Sequence, residues 1–249
     1  MTDPAATTPS ISAPAWAATA GPGEAFRHGL GAAFSTPGYV LIAGSVGFGA
    51  LSRDMGLSLG IAMWMSVTFY ALPAQVVLAD QLGRGASLLA AAFAVTLTAV
   101  RLLPMTVTLA PYLQDVRQRR WMELLAVHFI AVTAWIEGHR RLSPLPLDLR
   151  LPHFLGFGSA FLLCTVGGAA TGFVIAAVVH VAISAALLFF TPAYFMLSLI
   201  GTTRKLADAL AIGLGAVIGP LVYLAAPGLD LLVAGLVGGT IAYLVGRYR

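Results

Sequence analysis

The residue best placed to do chemistry in this sequence is Arg101. Between Gly85 and Gln114 it carries the only formal charge. A run of that length can cross a bilayer as a helix. An arginine near the middle of such a helix costs about 2.5–3.5 kcal/mol on insertion scales. The guanidinium therefore needs a polar partner, water or a ligand. Two roles are open to it: a structural tie between helices, or a site for an anion. Pro104 follows three residues later and frees the Val100 carbonyl, so interrupted backbone is expected beside the charge. Met105 lies next to it in the same run.

A second polar group falls in the run Ser58–Ala79, with Ser66, Thr68, Tyr70, Pro73 and Gln75. Pro73 frees the Phe69 carbonyl, and Gln75 adds an amide in the same turn. This combination fits a cavity-facing segment or a plain interhelical hydrogen bond. Phe48 and Tyr70, with Met105, are candidates to receive an apolar substrate side chain. Phe34-Ser-Thr-Pro-Gly-Tyr39 and Phe189-Phe-Thr-Pro-Ala-Tyr194 agree at four of six positions. Threonine suits an N-cap and proline the first helical turn. Thr36-Pro37 and Thr191-Pro192 are thus candidate helix starts, and the pair is a candidate internal repeat. Helix N-termini favour anions, and broken helices of repeated transporters aim them at substrate carboxylates. Ordinary breaks at the membrane surface are the alternative. His180 is a candidate proton relay or a hydrogen-bonded packing residue. Cys164 is the sole cysteine, so an intrachain disulfide is excluded.

The elements that position these residues must be membrane helices. Of 249 residues 59% are hydrophobic and 10% charged, whereas soluble domains carry about 25% charged residues. The expected fold is all-α and polytopic, with about seven transmembrane helices, some short or broken. Residues 1–33 are expected to form a flexible tail, with an interfacial helix over Glu24–Ala33, and residues 34–249 one transmembrane domain. Pro152–Gly201 has no Asp, Glu, Lys or Arg, enough for two spans. Trp121–Ile136 is short for a span and fits a tilted, re-entrant or interfacial segment. Basic loops are expected on both sides of it, at Arg117–Arg120 and Arg140–Arg150. The basic residues cluster at the ends of apolar runs, as interfacial anchors do, without the aromatic-interleaved stripe of a nucleic-acid surface. There is no His-Glu-x-x-His and no paired membrane aspartate, and no cofactor or metal is expected.

Several segments in order carry a family resemblance. They are the glycine-rich Gly44–Leu57 ending in Arg53-Asp-Met-Gly-Leu-Ser58, then Ser66 with Tyr70-Ala-Leu-Pro-Ala-Gln75, then Arg101-Leu-Leu, the Phe195–Ile200 stretch and a glycine-rich last helix. Over about Glu24–Arg249 the chain resembles the AzlC-type permeases, the large subunits of branched-chain amino acid exporters. It resembles a divergent member. Leu72 and Pro73 stand where small residues are usual, Ala99 where asparagine is common, and Thr133 and Ala134 where an acidic pair is common. Ala43 replaces a proline. The resemblance implies a secondary transporter in the bacterial inner membrane that exports branched-chain or other hydrophobic amino acids. It also implies a small AzlD-type membrane subunit as partner. A channel or facilitator for a small ion or polar solute, or a noncatalytic membrane scaffold, is the alternative.

Overall fold

The computed structural model describes residues 14–113, 120–178, 180–202, 206–225 and 233–247, and every regular element among them is helical. The helices are α1 (Pro22–Leu30), α2 (Thr36–Asp54), α3 (Leu59–Thr68), α4 (Leu72–Gly83), α5 (Leu88–Ala99), α6 (Leu102–Leu113), α7 (Arg120–His128), α8 (Val132–Leu142), α9 (Leu147–Ile175), α10 (Val181–Thr202), α11 (Leu206–Ala225) and α12 (Gly239–Arg247). A π-helical turn, Ala234–Gly238, leads into α12. α9 and α11 are each long and apolar enough to cross a membrane. So are two bent pairs taken together, Pro22–Phe34 with α2 and α5 with α6. By length and composition the described residues thus hold two to four such spans, in an all-helical arrangement as expected.

The chain divides into two compact units. The first unit is Met1–Gly38 with Pro104–Leu163. Of the expected tail, residues 1–13 lie outside the described residues, but the chain from Ala15 on is folded. Trp16 stacks on His28 at 4.3 Å and on His153 at 5.6 Å between ring centroids. His153 Nδ1 lies 3.1 Å from the Ala25 carbonyl. Gly29 and Gly156 let the α1 and α9 backbones touch, since a Cβ at Gly29 would lie 2.8 Å from the Phe157 nitrogen.

The run Trp121–Ile136 is not one segment. α7 and α8 are separate short helices with Phe129–Ala131 between them. His139, Arg140 and Arg141, expected in a loop, form the last turn of α8. There the buried Glu137 pairs with Arg141 and, at 3.6 Å, with Arg140. The spacings of three and four residues bring these charges to one helix face. The Arg117–Arg119 part of the other basic loop lies outside the described residues.

The second unit is Tyr39–Leu103 with Cys164–Arg249. Phe48, Met65, Ala79 and Ala169 form its buried cluster, with Leu57, Phe69, Leu72, Val76, Leu78 and Leu188 packed around them. α2 meets α9 backbone to backbone. A Cβ on Gly172 would overlap the Val46 carbonyl, one on Gly49 the Ala169 carbonyl, and one on Gly168 would sit 2.8 Å from the Ile42 oxygen. Small residues serve such approaches in lipid, where dispersion replaces the hydrophobic drive. Gly47 and Gly49 of α2 are therefore packing elements.

Two turns shape the unit. Gly56 at φ +76° and Gly85 at φ +70° supply left-handed backbone between α2 and α3 and between α4 and α5, which a Cβ would strain. Ser58 and Ser87 then cap α3 and α5, accepting from Ile61 and Ala90 N–H groups, each at 3.3 Å. Asp80 and Arg84 pair at 2.8 Å on the exposed side of the second turn.

Pro192 does not break a helix. α10 runs unbroken through it, so Thr191 and Pro192 are not a helix start and the candidate repeat loses its second copy. The carbonyl that Pro192 frees belongs to Leu188, and the Leu188 backbone is pressed against Gly47 of α2. Packing holds the helix closed at the place where proline would open it.

Replacing Gly172 with alanine is expected to force α2 and α9 apart and to lower stability by about 1–3 kcal/mol. Gly213→Ala on α11, where an added Cβ meets nothing within 4 Å, should be tolerated. Thermal unfolding of the purified variants in detergent checks the contrast.

Candidate functional site

Prolines follow two breaks in the helices of the second unit. Pro73 is the second residue of α4, and Pro104 the third of α6. In a first helical turn the missing N–H costs no hydrogen bond. Four residues before each proline the preceding helix has ended. Phe69–Ala71 is non-helical between α3 and α4, and Val100–Arg101 is a turn between α5 and α6. Neither run, Ser58–Ala79 or Ala86–Tyr112, is the single helix its apolarity suggests. Arg101 thus stands in a break rather than within a continuous helix.

The hairpin of α4 and α5 aligns these breaks. The two helices pack on each other and are joined by only Arg84–Ser87, so they run antiparallel. Each has 12 residues, or about 18 Å. Their far ends, the Phe69–Ala71 and Val100–Arg101 breaks, therefore lie at the same end of the hairpin. Packed helices sit about 8–10 Å apart, axis to axis. The other end carries the exposed Asp80–Arg84 pair, whose hydrogen bond pushes the Arg84 pKa up, a charged anchor suited to the membrane surface. A descent of about 18 Å from a surface into a hydrocarbon core of about 30 Å ends near the midplane. α3, with 10 residues and about 15 Å of rise, reaches the same depth from the same side, since Met55 in the turn before it lies against Gly83 at the end of α4.

The polar groups at these breaks are unequally satisfied. The Phe69 carbonyl accepts from the Ala71 N–H at 2.6 Å and from Gln75 Nε2 at 2.7 Å. The Val100 carbonyl accepts from the Leu103 N–H at 3.1 Å. The freed carbonyls expected to receive a ligand are thus engaged by the protein. Gln75 is fully buried, and its Oε1 has no partner. Because a carbonyl can only accept, the contact with Phe69 fixes the amide orientation and leaves Oε1 as the open acceptor. Arg101 is half-buried, its Nε is buried without a partner, and among the described residues no carboxylate pairs with it. Tyr70 is half-buried within the first break.

The other predicted positions fall elsewhere. Phe48 is wholly covered in the core cluster. Thr36 and Pro37 do begin α2, Thr36 exposed and Pro37 buried, and like the half-buried Met105 they belong to the first unit. Pro192 is exposed on α10. His180 is exposed just before α10, where its Nδ1 faces the Ala182 N–H at 3.3 Å, so its visible role is to cap that helix. Among the described residues no group of His, Cys, Asp and Glu could hold a metal ion. Glu137, His153 and Ser45 are among the buried polar groups that escaped the sequence reading. Glu137 and His153 had local signals, a charge beside two arginines and a second imidazole in an uncharged stretch. Ser45, 1% exposed with an unpartnered Oγ, had none.

Broken helices meeting near the midplane, with polar groups held at the breaks, define a multi-pass membrane protein built as transporters are. Residues 37–179, more than half of the chain, match the family described as AzlC protein. The chain belongs to the AzlC family, a branched-chain amino acid transport family without enzymatic activity. The match spans α2 to α9 and both breaks, and stops short of Thr191 and Pro192. No curated protein and no solved structure matches the chain.

Gln75→Leu is expected to change folding stability by no more than about 1 kcal/mol. The lost bond to Phe69 is worth about 0.5–1.5 kcal/mol, and removing a buried unpaired acceptor offsets it. Equilibrium unfolding in detergent, compared with wild type, measures this.

Proposed function

We propose that this protein is a secondary transporter that exports branched-chain or other hydrophobic amino acids across the bacterial inner membrane, with a small AzlD-type membrane subunit as partner. The observation that carries the reading is the Arg101 guanidinium, its buried Nε without a partner among the described residues, at the same end of the α4–α5 hairpin as the unpartnered Gln75 oxygen. One group only donates and the other only accepts. An α-amino acid offers the complement, a carboxylate for Arg101 and an ammonium for Gln75 Oε1. Low surrounding dielectric strengthens both bonds, and charge-assisted pairs are the stronger kind. Tyr70, in the same break, is suited to rest against the apolar side chain. The family supports the substrate class. The resemblance supports the direction, the membrane and the partner.

The test is counterflow of radiolabelled valine, isoleucine and methionine in liposomes, with and without the product of a neighbouring small membrane gene. Wild type should show saturable counterflow. Arg101→Ala should insert and fold yet lose at least about 30-fold in kcat/KM, as expected when one partner of a buried charged bond is removed. Arg101→Lys should retain part of the activity, because it keeps the charge and loses the planar fork. Undiminished counterflow by folded Arg101→Ala would defeat the assignment. Gln75→Leu should raise KM for all three amino acids.

A further inference from the structure

Helical hydroxyls in this protein have a usual refuge. Ser52, Ser66, Thr96, Thr98, Thr108 and Thr171 each donate to the carbonyl four residues back, at 2.7–3.0 Å. This bond is the ordinary way to satisfy a serine or threonine inside an apolar helix. Ser45 on α2 is 1% exposed, and its Oγ makes no such bond and no other. Its Cβ is pinned from outside, since an added Cβ on Gly168 of α9 would lie 2.8 Å from it. A buried hydroxyl without a partner costs about 1–3 kcal/mol, and alanine would fill the same space without that cost.

The depth of Ser45 points to what the hydroxyl serves. α2 and α3 are joined by the tight turn at Gly56, and Phe48 packs with Met65 and Phe69, so the two helices run antiparallel from one surface. Nine residues separate Asp54 from Ser45, about 14 Å of rise. Eleven separate Ser58 from Phe69, about 16 Å. Ser45 thus lies at the level of the Phe69–Ala71 break. The unpartnered buried side-chain atoms among the described residues are Ser45 Oγ, Gln75 Oε1 and Arg101 Nε. All three belong to the second unit, and all three fall at the depth of the breaks.

We infer that Ser45 is a further substrate-contacting residue, its hydroxyl hydrogen-bonding the polar head group of the transported amino acid from α2. This rests on the amino acid transport reading above. The hydroxyl both donates and accepts, so it complements a zwitterion without adding charge. A contact to the head group makes it indifferent to the substrate side chain.

The experiment compares Ser45→Ala with Ser52→Ala in the full chain reconstituted in liposomes, measuring counterflow KM for valine, leucine and methionine, with thermal midpoints in detergent. Ser52 is equally buried on the same helix, but its hydroxyl is satisfied by the Phe48 carbonyl. Ser45→Ala should raise KM roughly tenfold, by the same factor for all three amino acids, with a thermal midpoint no lower than wild type. Ser52→Ala should leave KM unchanged. Wild-type KM for Ser45→Ala, a rise confined to one amino acid, or a rise accompanied by a lowered midpoint would each overturn the inference. If wild type and Arg101→Ala alike fail to move amino acids, the transport reading fails. If Arg101→Ala loses activity while Ser45→Ala behaves as wild type, only the Ser45 assignment falls.

Discussion

In lipid no backbone polar group can turn to water, and that constraint organises the second unit. Each unsatisfied group there costs several kcal/mol, yet this chain opens its backbone twice near the midplane. The Phe69 carbonyl survives because the Ala71 amide and the Gln75 side chain both reach it. The Val100 carbonyl survives because the Leu103 amide closes a tight turn onto it. With the backbone satisfied, what is left over is side-chain capacity. The unused carboxamide oxygen and guanidinium nitrogen are what a polar guest would find.

Helix packing supplies the rigidity that holds such an arrangement. α2 is fixed against α9 through Gly49, Gly168 and Gly172, and against α10 through Gly47. Direct backbone contact leaves little room for adjustment, since packed interiors transmit small shifts. Phe48 belongs to the buried cluster against which Phe69 and Leu72, on either side of the break, are packed. Groups at the breaks are thereby held on short, well-packed helices. α11 by contrast has no buried residue, and its apolar side chains are suited to lipid.

Parts of the site were legible in one dimension. Arg101 stands out because charge is rare in a long apolar run. The positions opened by Pro73 and Pro104 follow from the steric rule that a proline cannot coexist with a helical carbonyl four residues back. Other readings failed because they needed a neighbour. Pro192 obeys the same local rule as Pro73, but Leu188 is clamped on Gly47, so the helix stays whole. Phe48 and Tyr70 looked alike as aromatic residues near a candidate site, and only packing separated the covered one from the half-buried one.

The sequence by itself determined the solvent, the helical class, the lone charge and the places where proline forbids a continuous helix, because these depend on residues close along the chain. Tertiary structure decided which of those places opened, that two of them meet at one end of a hairpin, and which buried polar atoms were left unpaired. Hydrogen-bond satisfaction is a property of what surrounds an atom. Gln75 spends its amide nitrogen on Phe69 and keeps its oxygen free, and Ser45 lacks the bond that Ser52 makes on the same helix. No spacing along the chain encodes either difference.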